Sequence, residues 1–158
     1  MLAITLLALA LDPAPTEPPA EPAPAAIRAA VERSVPLIQR SLAEYARRRD
    51  CFSCHHQALG LLALTTARGR GLEVDGDLIG DQSAFVAADL SKAADGYRQG
   101  RSQGGGATRA GYALWALQLG GHPPDATTSA VAGFLLKDGR EGWRTTSRRP
   151  PSEAARSW

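Results

Sequence analysis

The stretch Gly111 to Asp125 reads GYALWALQLGGHPPD. An apolar segment through Tyr112, Leu114, Trp115, Leu117 and Leu119 predicts a helix that stops at Gly120-Gly121, where glycine suits the reversal after a last helical turn. His122-Pro123-Pro124 cannot continue that helix. Asp125 is placed to cap a new one, in which Val131, Phe134 and Leu135 face inward and Asp138-Gly139 marks the end. A helix, a tight reversal and a second helix make an α-hairpin, and the rest of the chain follows the same pattern.

Working towards the N-terminus, Ile27, Val31, Val35, Ile38, Leu42 and Tyr45 recur every three or four residues and form one helical stripe, which Pro36 is expected to kink or divide. Gln57 to Ala67 is apolar nearly all round, predicting a buried helix that ends at Gly69 and Gly71. A third helix follows Asp75-Gly76-Asp77, with Ile79, Val86, Leu90, Ala93 and Tyr97 on one face and a stop before Gly100. Ser102 to Gly106 reads as a flexible break. No run alternates with period two, so the expected fold class is all-α: five helices as stacked α-hairpins that bury their faces against one another.

The chain has 158 residues, enough for one domain with a modest core. With 18 basic against 16 acidic residues, its net charge does not point to nucleic acid or to an anionic membrane. Residues 1–11 form an uncharged apolar run closed by Ala8-Leu9-Ala10, a signal-peptide-like leader too short to span a bilayer. Residues 12–26, DPAPTEPPAEPAPAA, read as a semi-rigid Pro/Ala/Glu linker, leaving 27–158 as the helical domain. Together these predict an exported protein, periplasmic or associated with the cell envelope. The polar run from Trp143 to Trp158 stops where a further helix would begin, so the chain reads as incomplete, with the fifth helix partly uncovered and open to self-association.

Chemistry concentrates in Cys51-Phe52-Ser53-Cys54-His55-His56-Gln57, which holds both cysteines and two of the three histidines. The C-x-x-C-H spacing suits covalent haem: two thiols reach the two vinyl groups along one porphyrin edge, and His55 supplies the axial nitrogen, all within one helical turn. Met1 is the one methionine and lies in the leader, so His122 is the candidate for the opposite axial position, or that position stays open. Two alternatives use the same residues. Zinc would take Cys51, Cys54, His55 or His56, and His122 as a tetrahedral set. A disulfide between Cys51 and Cys54, or two thiols packed at a helix start, would need no cofactor. His56 and Gln57 are expected to support this junction rather than bind iron. No Walker loop, G-x-S-x-G or H-E-x-x-H is present.

Gly111 to Leu117, Phe134 to Gly139 and Gly142 to Thr146 resemble repeats of the squalene-hopene cyclase and prenyltransferase class. Cys51 to Gln57 and Thr145 to Ala154 resemble a subgroup of exported bacterial proteins with a C-x-x-C-H-H-Q signature. The resemblance implies part of an α/α toroid. It does not carry activity over: a cyclase protonates with an aspartate-rich D-x-D-D segment, and Asp75-Gly76-Asp77 is not one. Two functional expectations follow. One is a haem c domain with a redox or haem-binding role and a redox partner. The other is a domain that binds an apolar small molecule or a partner chain, with the cysteines structural.

Overall fold

The computed structural model describes residues 23–146, with side chains placed through Lys137. The leader, the linker through Pro22 and the tail beyond Thr146 lie outside the described residues. Every regular element among those described is helical. α1 spans Pro24–Arg48, α2 Leu59–Gly69, α3 Gly76–Ser91, α4 Ala94–Arg98, α5 Gly106–Leu119 and α6 Ala126–Thr146, and a π-helical turn, Cys54–Ala58, leads into α2.

α1 starts three residues before Ile27, with Pro24 in the first turn, where its missing N–H costs nothing. Pro36 does not divide it. The expected stripe is buried at Val35 and Leu42, while Ile27 and Val31 stand exposed. α2 is buried on one side rather than all round: Leu61 and Leu64 are inaccessible, yet Leu59 is 44% exposed.

The third expected helix is broken. α3 is capped by Asp75, whose carboxylate accepts from the amides of Asp77 and Leu78, but it ends at Ser91, and α4 begins at Ala94 after the two-residue turn Lys92-Ala93. The apolar period runs straight through this break. The turn at Lys92-Ala93 brings Tyr97 into the core, edge-on to Phe134 of α6 at 5.4 Å, which a straight continuation of α3 would carry away from α6.

α5 is the central helix, touching the π-turn, α2, α3 and α6. Its buried face is Ala110, Ala113, Ala116 and Leu117, and alanines let neighbouring backbones approach closely. It ends as expected: Gly121 takes a positive φ of 74°, and the His122 amide donates back to the Leu117 carbonyl at 2.9 Å. A methyl added at Gly120 would meet Ser83 Cβ at 2.6 Å. That atom is fixed to the α3 backbone, so Gly120→Ala must push α3 from α5 and is expected to cost about 1–3 kcal/mol in urea unfolding; an unchanged midpoint would contradict the packing.

α6 is capped as expected, with the Thr128 amide donating to Asp125 Oδ1 at 2.7 Å and the Asp125 amide donating to Thr128 Oγ1 at 2.8 Å. Val131 and Phe134 face inward. The expected stop at Asp138-Gly139 is not there. The helix runs through both glycines to Thr146, so the first part of the expected polar loop is helical. A glycine inside a helix costs only about 1 kcal/mol, too little to end one anchored by its earlier turns.

Candidate functional site: the cysteine-histidine turn

Phe52 decides how the motif sits. It is 3% exposed and plugs the core, which leaves Cys51 exposed before it and Cys54 half-buried after it. The backbone from Cys51 to His55 is not one helical turn, as the haem reading of the sequence expected. Ser53 is extended, at φ −117° and ψ 120°, and the helical chain starts only at Cys54, in a wide π-turn. Cys51 and Cys54 are both free thiols.

The π-turn separates three consecutive side chains by role. His56 turns towards α1: its ring stacks on Tyr45 at 4.7 Å, and Nε2 lies 3.0 Å from the Ser41 carbonyl, to which it donates. Gln57 turns into the core, fully buried, and its Oε1 accepts from the Ser53 amide at 2.8 Å. Its Nε2 is buried with no hydrogen-bond partner. His55 is left facing outward beside a concavity of about 270 Å³ lined by Ile38, Leu42, Leu59 and Ala63. Holding the next two residues inward is what frees His55.

Tyr45 joins the two ends of the motif. Its ring carries His56, and its hydroxyl lies 3.9 Å from Cys51 Sγ. Burial, reinforced by the neighbouring thiol, raises its phenol above the usual tyrosine range. The sequence stripe placed Tyr45 on the packing face of α1 but carried no sign of this contact.

A second polar group lies behind Cys51. Arg109, at the start of α5, donates from Nη2 to Asp89 Oδ2 at 2.6 Å, and Asp89 is 3% exposed. Gln103 Nε2 donates to the Asp89 carbonyl at 3.0 Å, and the Tyr97 hydroxyl donates to Gln103 Oε1 at 3.2 Å. Burial raises the Tyr97 phenol above its usual range. The sequence analysis missed this network, whose charged partners stand twenty residues apart on different helices.

His122 is not part of the cysteine turn. His122 follows the last turn of α5, and the groove it lines shares no residue with the concavity beside His55. There its Nε2 sits 3.6 Å from Asp125 Oδ2, beside a groove of about 610 Å³ between α5 and α6. The bond from the Thr128 amide, with help from His122, holds the Asp125 carboxyl below its usual range. Among the described residues no three His, Cys, Asp or Glu side chains gather as metal ligands, so the tetrahedral zinc set is not assembled. For a haem, the donor types fit: two cysteines outside any disulfide, three residues apart, followed by an exposed imidazole beside a largely apolar concavity.

No protein-family model, curated protein or solved structure matches the chain.

Proposed function

We propose that the chain is an exported helical-repeat domain, sited in the periplasm or cell envelope, that carries one haem c through Cys51 and Cys54 with His55 as its axial ligand. The observation that carries this reading is the division of labour in the turn: Cys51 and His55 are exposed, Cys54 is half-buried between them, and neither cysteine is in a disulfide, while His56 and Gln57 are committed to α1 and the core. A haem held there would supply one-electron chemistry. Cys51 and Cys54 would fix the group to the chain, His55 would supply a nitrogen ligand, and Ile38, Leu42 and Leu59 would form an apolar wall beside His55. The hairpin order of α5 and α6 agrees with the toroid-repeat resemblance, which supports the fold of this reading and no cyclase activity.

A second reading, an apolar-ligand or partner-chain site with structural cysteines, draws on the groove between α5 and α6, whose walls include Leu114, Leu117, Pro123, Pro124 and Ala132. Expression in a periplasm with a c-type haem attachment system separates the two. The first reading predicts a red protein whose Soret absorbance survives denaturation and is lost in Cys51→Ser/Cys54→Ser. Colourless protein from the wild-type chain, folded by circular dichroism, would favour the second.

A further inference from the structure

The sequence spreads its charges evenly, with a net of +2 over the whole chain. Folding does not. The residues next to Cys51 join the ends of several helices: Lys92, after α3, donates to the Asp50 carbonyl, Arg109 of α5 pairs with Asp89 of α3, and Gln103, which also holds Tyr97 of α4, donates to the Asp89 carbonyl. That end carries seven cationic side chains against four acidic ones. Arg47 and Arg48 share Glu44, Arg98 pairs with Asp95, and Arg109 with Asp89, which leaves Arg49, Lys92 and Arg101 in no ion pair among the described residues, against the one unpaired acid Asp50. Elsewhere among the side chains described, six cations balance six acids. Among the described side chains, the positive excess therefore lies in the segments that flank Cys51 and are tied to it through Asp50, Lys92 and Asp89.

Apolar exposure is arranged the other way. The exposed large hydrophobic residues among those described are Ile27, Val31, Leu37, Leu59 and Leu136; Leu59 borders the His55 concavity, and none belongs to residues 44–54 or 89–109, which carry the basic end. A surface that enters lipid needs an apolar wedge as well as charge, and this end has none. A polar, cationic rim with no apolar centre fits a transient, electrostatically steered protein contact.

We infer that the basic end around Cys51 is the docking surface for an acidic protein partner, which on the haem reading is the redox partner. Arg49, Lys92 and Arg101 form the rim, and the partner meets the chain where the thiols would attach the haem. The purpose of the contact rests on the haem reading, but its chemistry does not, so the test needs no haem.

Poly-L-glutamate serves as the acidic probe for the full chain, with amide NMR shifts to map contact and phosphatidylglycerol vesicles as a parallel arm. Binding is expected to perturb Arg49 to Ser53, Lys92 and Arg98 to Gln103, and to weaken about tenfold between low and physiological salt. Arg49→Glu/Arg101→Glu should weaken it at least fivefold, while Arg68→Glu/Arg70→Glu, at the C-terminal end of α2, should leave it unchanged. Shifts centred at the α2–α3 turn, equal loss in both double variants, or binding to vesicles but not to polyglutamate would overturn the inference. Failure of haem loading alone would not.

Discussion

Asp89→Ala is expected to cost the domain about 3–5 kcal/mol, because it strips the partner from a half-buried guanidinium and leaves that charge without a counter-ion. Set against a total stability of about 5–15 kcal/mol for a domain of this size, the loss is a large fraction of the margin. The size follows from burial. The exposed pairs Arg28–Glu32 and Arg98–Asp95 have water to replace a lost partner, and their removal is expected to move stability by no more than about 1 kcal/mol. Asp89 is shielded by α3, and Arg109 Nε already lacks a partner, so nothing nearby takes over. The double change Asp89→Leu/Arg109→Met should recover much of the loss, since two apolar groups replace the pair without an orphaned charge. Urea unfolding followed by circular dichroism reads both, and a loss below about 1 kcal/mol for Asp89→Ala would show that the pair is not structural.

His55 and His56 are adjacent in sequence and are expected to respond in opposite ways. His55→Ala removes an exposed ring with no hydrogen bond among the described residues, so the unloaded chain should keep its stability within about 0.5 kcal/mol. Its haem-loaded form should lose the axial nitrogen and shift to the spectrum of a weakly ligated iron. His56→Ala removes a stack on Tyr45 and a hydrogen bond to the Ser41 carbonyl, worth together about 1.5–3 kcal/mol of stability, while the spectrum of its loaded form stays that of the parent. Reversal of the two results, with His56→Ala moving the spectrum and His55→Ala the stability, would reassign the ligand.

Much of the fold was legible because it rests on local signals. The Gly120-Gly121 stop, the Asp125 cap and the inward Val131 and Phe134 each depend on residues within a turn or two of one another. The break at Lys92-Ala93 was not legible, because the apolar period continues across it and only the position of α6 requires the chain to bend there. Nor was the length of α6: Asp138-Gly139 carries a stop signal that the helix overrides. The same division holds at the site. The motif, its place before α2 and the supporting role of His56 and Gln57 could be read along the chain. The wide turn, the Tyr45 contact to Cys51, the Asp89–Arg109 pair and the placing of His122 in a separate groove are all set by helices meeting in space.

The most direct measurement is the mass of the tryptic peptide Asp50–Arg68, which contains both cysteines, taken from protein expressed with a haem attachment system under non-reducing conditions. The account predicts one haem per peptide, with both thiols consumed and neither open to alkylation. Recovery of the same peptide as a Cys51–Cys54 disulfide, or as two alkylatable thiols with no added mass, would contradict it.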